Sequence, residues 1–206
     1  TNKKFLKLKS TGTNSSSFAV NKLDNAPTGQ VIITQDVKFY NNNSSILFKQ
    51  DNPVTWSANA TAISFNFTGT EFNLNGGEKI CDAVPGTWYK IVLSADVTSK
   101  LCFAKVYDAE GTLLGESDVT AFVNAGATAP VYLCYRTPDN SQGELDFNNV
   151  KMYTPEIDGT KFTTTVADET ISIPEAGESD VTTTLTAKAL STEGYDMIGE
   201  ATWAFD

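Results

Sequence analysis

The chain has 206 residues, 40 % of them hydrophobic and 11 % aromatic, enough for one large β core or for one domain and part of a second. Its 25 aspartates and glutamates outnumber 15 lysines and arginines, and a formal net charge of −10 argues against nucleic-acid phosphates or an anionic membrane surface as partners, since both need a basic face. Histidine is absent, which excludes every Ser-His or Cys-His nucleophile arrangement.

No stretch approaches the roughly 18 consecutive apolar residues of a membrane helix, so membrane insertion is not expected. No signal-peptide pattern precedes Thr1, and the chain reads as a mature fragment of something larger. Thr, Ser, Asn, Gly and Asp are abundant and long runs of helix formers are missing, the balance of an all-β protein with polar turns. Cys81, Cys102 and Cys134 are too few and too odd in number for a disulfide framework. Each lies in or beside an apolar run, as a small buried hydrophobe does. One disulfide is compatible with the count, with no pair singled out. Without a CxxC pair or a histidine, structural zinc is not expected.

In chain order, KFLKL (4–8) predicts an opening strand and TGTNSSS (11–17) a polar turn, with 18–20 continuing the sheet. Gly29 then introduces a long strand, QVIITQDVKFYN. Its alternation sets Val31, Ile33, Gln35, Val37 and Phe39 on a core face. Gln30, Ile32, Thr34, Asp36, Lys38 and Tyr40 lie on the other, which is either solvated or the floor of a groove. After the NNNSS loop, a strand at 46–49 leads through a turn to Trp56, set among Thr, Ser, Ala and Asn. Strands at 62–68 and 71–75 alternate cleanly and end in Asn75-Gly76-Gly77.

The stretch from Pro85 to Glu116 is the framework. Apolar runs at 88–93 and 101–107 are joined by a polar turn. The turn Asp108-Ala109-Glu110-Gly111 leads to a third strand at 112–114. Residues 117–129 are turn-rich. Pro130, tolerated at the first position of a strand, precedes VYLCYR, and TPDNSQG separates that from ELDFNNVKMY (144–153). Thr154-Pro155-Glu156-Ile157-Asp158-Gly159 marks a boundary between residues 1–154 and 155–206.

The sequence GTWYKIVLSAD followed by YDAEGTLLG is similar to the central hairpins of laminin-G/concanavalin-like β-sandwiches, domains common in secreted bacterial proteins that bind polysaccharide. The strand LDFNNVKM resembles the closing strand of jelly-roll carbohydrate-binding modules. There an Asp often helps to hold a structural calcium, which implies Asp146 as a Ca²⁺ ligand; the ion takes about six to eight oxygens. The runs TISIPEAG, TLTAK, EGY and ATWAF in the tail are similar to the first half of bacterial immunoglobulin-like modules. Such a module needs about seven strands and on the order of 100 residues, so the chain is expected to stop inside it, with Trp203 short of packing partners. The fold expected is therefore an all-β, two-sheet antiparallel jelly-roll sandwich with a truncated Ig-like tail. The tail is expected to dock on the first domain, pair with a neighbour or stay partly loose.

Sugar binding rests on aromatic rings that stack on pyranose faces and on polar groups placed for the hydroxyls. Trp56, Trp88, Tyr40 and Tyr132 are the candidate rings, with Lys38 and Arg136 as polar partners beside them. Trp56 leads, because no apolar periodicity claims it, although a loop Trp also plugs sandwich ends. For Trp88 the plainer reading, a core Trp at a strand start, is preferred; for Arg136, a surface salt bridge is. Gln30, Asp36 and Lys38 form the matching polar set if their sheet lines the groove. Catalysis is not expected. A concanavalin-like hydrolase signature, Glu-x-Asp-x-x-Glu, is matched by Glu144 and Asp146 but meets Asn149 where the third acid belongs, and glycoside hydrolysis needs a carboxyl pair. The resemblance implies a secreted or cell-surface, non-catalytic module attaching a bacterial surface or enzyme complex to polysaccharide, with starch-type α-glucan ahead of plant-wall β-glycan. The alternative is an adhesive or spacer module with a protein partner, one of several in a larger surface protein.

Overall fold

The computed structural model describes residues 4–10, 16–51, 60–138, 143–166 and 185–198. The chain divides into two compact units, Thr1–Thr154 and Pro155–Asp206. In the first, the strands in chain order are β1 (Leu6–Lys9), β2 (Phe18–Lys22), β3 (Gln30–Phe39), β4 (Ser44–Lys49), β5 (Thr61–Phe67), β6 (Glu71–Leu74) and β7 (Lys79–Asp82). They continue with β8 (Trp88–Asp96), β9 (Leu101–Tyr107), β10 (Leu113–Glu116), β11 (Thr120–Ala121), β12 (Tyr132–Arg136) and β13 (Glu144–Tyr153).

These strands form two antiparallel sheets. One runs β1-β13-β3-β8-β9-β10, with β11 also on β9; the other runs β2-β12-β4-β5-β6-β7. The chain crosses between sheets after β1, β2, β3, β7, β11 and β12, so the first and last strands lie side by side. The architecture is the all-β jelly-roll sandwich that the alternation and turn spacing predict. Two local expectations change. The run at 18–20 does not continue the opening strand's sheet but pairs with β12 in the opposite one. The strand β7 was not anticipated from the sequence, because KICD holds only two apolar residues.

The core follows from period-2 alternation on both inner faces. From β3, Val31, Ile33, Val37 and Phe39 are buried; from the facing sheet come Ile46, Phe48, Ile63, Phe65, Phe67 and Phe72. Aromatic rings join the layers: Phe39 stacks on Phe67 at 5.4 Å, Tyr89 meets Phe72 edge-on at 5.0 Å, and Tyr135 lies parallel to Phe147 at 3.9 Å. The Tyr135 hydroxyl donates to Gln35 Oε1 at 2.5 Å, which gives the one polar residue on the inner face of β3 a partner from the other sheet. At Gly115 a Cβ would lie 2.3 Å from the Ile80 carbonyl oxygen, so only glycine lets β10 approach β7 at the sandwich margin. All three cysteines are buried and free, so no disulfide forms.

In the second unit, β14 (Ile157–Val166) pairs antiparallel with β15 (Leu185–Ser191), and a turn brings Asp196 back to bridge Leu190. Trp203 and two of the four runs behind the Ig-like resemblance, TISIPEAG and ATWAF, lie outside the described residues.

Candidate functional site

Because Tyr89, Ile91 and Leu93 point into the core, alternation turns Trp88, Lys90 and Val92 outwards. Trp88 is thus half-buried on the outer face of the seven-stranded sheet, not a core residue, which corrects the plainer reading preferred from sequence. The turn before it is pinned. Gly86 has φ 77° and donates its N–H to the Phe39 carbonyl at 2.7 Å, and the Tyr89 hydroxyl accepts the Val84 N–H at 2.8 Å.

Strand pairing gathers a row around Trp88. Lys7 of β1 is opposite Asp146 of β13, Asp146 opposite Lys38 of β3, and Lys38 opposite Trp88 of β8. A second row on the same face runs Asn148, Asp36, Lys90, Tyr107. The Lys38 ammonium lies 5.1 Å from the Trp88 ring centroid and 5.4 Å from that of Tyr40. Phe5, itself 45 % exposed, meets Trp88 edge-on at 5.8 Å.

Beside Trp88 is a cavity of about 230 Å³, lined by Asp36, Lys90, Asn148 and the turn 108–111. That turn is built by its own first residue: Asp108 Oδ1 accepts the N–H groups of Thr112 at 2.7 Å and Glu110 at 3.0 Å. Hydrogen bonds from backbone N–H groups, Thr112's first, hold the Asp108 carboxyl below the usual range, so it is ionised at neutral pH. Asp36 Oδ2 accepts from the Asn149 amide at 2.5 Å, across the bulge that interrupts β13.

Asp146 is fully buried and surrounded by cations. Lys7 and Lys38 place ammonium groups 3.7 Å from its two oxygens, and the Tyr40 hydroxyl donates to Oδ2 at 2.8 Å. Lys7 also hydrogen-bonds Glu144, which holds that carboxyl below its ordinary range. Among the described residues no three His, Cys, Asp or Glu side chains group to hold a metal. A carboxylate between two ammonium groups, with one oxygen already taken by a phenol, does not fit a calcium ion wanting six to eight oxygens.

The candidates from sequence therefore divide. Trp88, Lys38, Tyr40 and Asp146 come together on one face. Tyr132 and Arg136 lie on the outer face of the six-stranded sheet, on the far side of the sandwich, and line no common groove with Lys38 or Asp36. There the Lys22 ammonium lies 5.9 Å from the Tyr132 ring, and Arg136 Nε donates to Ser16 at 3.1 Å. Trp56 lies outside the described residues. Sequence reasoning passed over Phe5, Lys7 and the turn 108–111. The shared parity of Phe5 and Lys7 in KFLKL was visible, but the pairing of β1 with β13 was not.

No protein-family model matches the sequence, and no curated protein does. Solved structures do resemble it. A sialidase superposes with a TM-score of 0.52 at 14 % identity, over 73 % of this chain and 15 % of its own length. Peanut lectin gives 0.46 at 10 % identity over 73 % and 87 %, and the Lotus tetragonolobus seed lectin 0.42 at 8 % over 71 % and 86 %. The chain thus spans a small part of the sialidase, and at this identity the likeness is one of fold.

Proposed function

We propose that the protein binds polysaccharide without cleaving it, through the outer face of the seven-stranded sheet at Trp88. The observation that carries this is an indole turned out of the core onto a cavity where Asp36, Lys90, Asp108, Glu110 and Asn148 stand beside an apolar lining, the arrangement that stacks a sugar ring and hydrogen-bonds its hydroxyls. A glycan polymer is a larger ligand than the cavity, so the chain would run out over the exposed Phe5 and Lys7 near Trp88, and not over Ile32, Val92 and Phe103 of the same face, which are buried. Starch-type α-glucan stands ahead of plant-wall β-glycan, on the sequence resemblance. Two features support a non-catalytic role: Glu144 is held ionised by Lys7, whereas a general acid needs a raised pKa, and Asp146 is enclosed by Lys7, Lys38 and Tyr40. In this reading the module works outside the cell and attaches a bacterial surface or enzyme complex to glycan, the second unit serving as an Ig-like spacer.

The alternative, an adhesive module for a protein partner, is favoured by exposed Phe5, Leu6 and Val150 along β1 and β13. A pull-down of the chain against insoluble polysaccharides, starch included, decides between them. Retention on a glycan that depends on Trp88 supports the first reading, and failure on every glycan sinks it.

A further inference from the structure

The cavity beside Trp88 has a charge pattern of its own. Asp36 lies on its floor and Asp108 and Glu110 belong to the turn that walls it, so three carboxylates border it. Lys90 is the cation among the described lining residues, and its ammonium is 5.7 Å from the Tyr107 ring on the neighbouring strand. The nearest other lysines of this face do not offset that balance: Lys7 is engaged by Glu144 and Asp146, Lys38 by Asp146 and two aromatic rings, and Lys105 by Glu116, while Lys9 stands opposite Glu144. Asp36 and Asp108 are also fixed in place, the first by the Asn149 amide and the second by backbone N–H groups. The whole chain adds a net charge of −10.

Resting on the glycan-binding reading above, we infer that this cavity selects neutral, hydroxyl-rich sugars and rejects sugars bearing carboxylate or sulfate. An ionised carboxylate only accepts hydrogen bonds, and a sugar hydroxyl is a donor, so Asp36, Asp108 and Glu110 suit a polyol stacked on Trp88. A uronate or sulfate in the same position meets three carboxylates, against which the Lys90 ammonium and the Asn148 amide are the fewer groups, so repulsion outweighs what those two donors return. Specificity here comes from the repulsive element as much as from the stacking ring.

The test is retention of the full chain on granular starch, cellulose and neutral xylan against polygalacturonate and alginate, at low salt. The proteins compared are the wild type, Trp88→Ala and the double variant Asp36→Asn/Glu110→Gln. Trp88→Phe replaces the alanine variant if that one loses its near-ultraviolet circular dichroism. The expected result is Trp88-dependent retention on a neutral polymer and at least about tenfold weaker retention on the acidic ones. The double variant should narrow that gap about three- to tenfold at low salt and leave it unchanged near 1 M salt, where charges are screened within about 3 Å. Equal, Trp88-dependent retention on acidic polymers overturns the charge selection and leaves the glycan reading standing. No retention on any polymer overturns the glycan reading and this inference with it; retention indifferent to Trp88 overturns this inference and the placement of the site at Trp88.

Discussion

The Lys38 ammonium caps the Trp88 ring at 5.1 Å from the position opposite it on the neighbouring strand. The contact lies on the sheet's outer face, apart from the core. Trp88→Ala is therefore expected to fold, with roughly 1–2 kcal/mol of stability lost. Its glycan affinity should fall by about 1–3 kcal/mol, as for an aromatic anchor in an interface. Tyr132→Ala, on the opposite face, should change affinity by less than about 0.5 kcal/mol. Affinity electrophoresis in soluble glycan measures both, and an effect at Tyr132 with none at Trp88 would move the site to the other sheet.

Tyr135→Phe removes the donor to Gln35 Oε1 and leaves a buried amide unpaired in the sandwich core. Burial pushes the Tyr135 phenol far above its ordinary range, so the hydroxyl stays protonated and donating at any ordinary pH. The expected cost is about 1–3 kcal/mol in urea unfolding, with the m-value unchanged. An unaltered midpoint would show that the two sheets do not rely on this bond.

Asp146 is the anionic centre of a cluster that also holds Lys7, Lys38 and Tyr40. Asp146→Ala should cost about 1–3 kcal/mol, because the Tyr40 hydroxyl loses its acceptor and two ammonium groups their counter-charge. Chelator, by contrast, should leave the melting temperature of the wild type where it was. A drop on adding chelator that calcium restores would contradict the assignment of Asp146 to an ion cluster.

The pH dependence has two limbs. Glu144 and Asp108 carry depressed carboxyl pKa values, so their stabilisation is present above the unfolded values near pH 4 and is lost as pH falls through the folded ones. Burial raises Cys81 to about 11 and Cys102 and Cys134 to about 12. Raised groups stabilise below the unfolded value, here about 8.5, and the contribution is lost as pH climbs towards the folded one. With no histidine in the chain, the melting temperature should be level between about pH 5 and 8.5 and decline on both sides. Lys7→Met should flatten the acid limb; an unchanged acid limb would deny Glu144 its part in it.

The same thiols should be inert. Native protein at pH 8 is expected to react with a thiol reagent far more slowly than unfolded protein, which should label at all three positions. Reducing agent should not shift the melting temperature. Rapid labelling of one cysteine in the native state would show local opening around it, with Cys81, the least deeply buried, the first suspect.

What the sequence determined by itself was local. Alternation in QVIITQDVKF and WYKIVLSAD decides which side chains share a face, because successive side chains of a strand point to opposite sides whatever the partner. Polar and glycine-bearing turns divide the strands for the same reason, and together they define an all-β sandwich with Val31, Ile33, Val37 and Phe39 inside. Even the outward parity of Trp88 with Lys90 was legible, though bulk and apolarity argued for the core. Tertiary structure decided the neighbours. Lys7 and Asp146 are 139 residues apart, and Lys38 is 108 residues from Asp146, yet the three stand in one row because β1, β13 and β3 pair. The same pairing sends β12, with Tyr132 and Arg136, to the opposite sheet. Strand order depends on how two complete inner faces fill one core, a property of the whole packed layer that no short stretch of sequence carries.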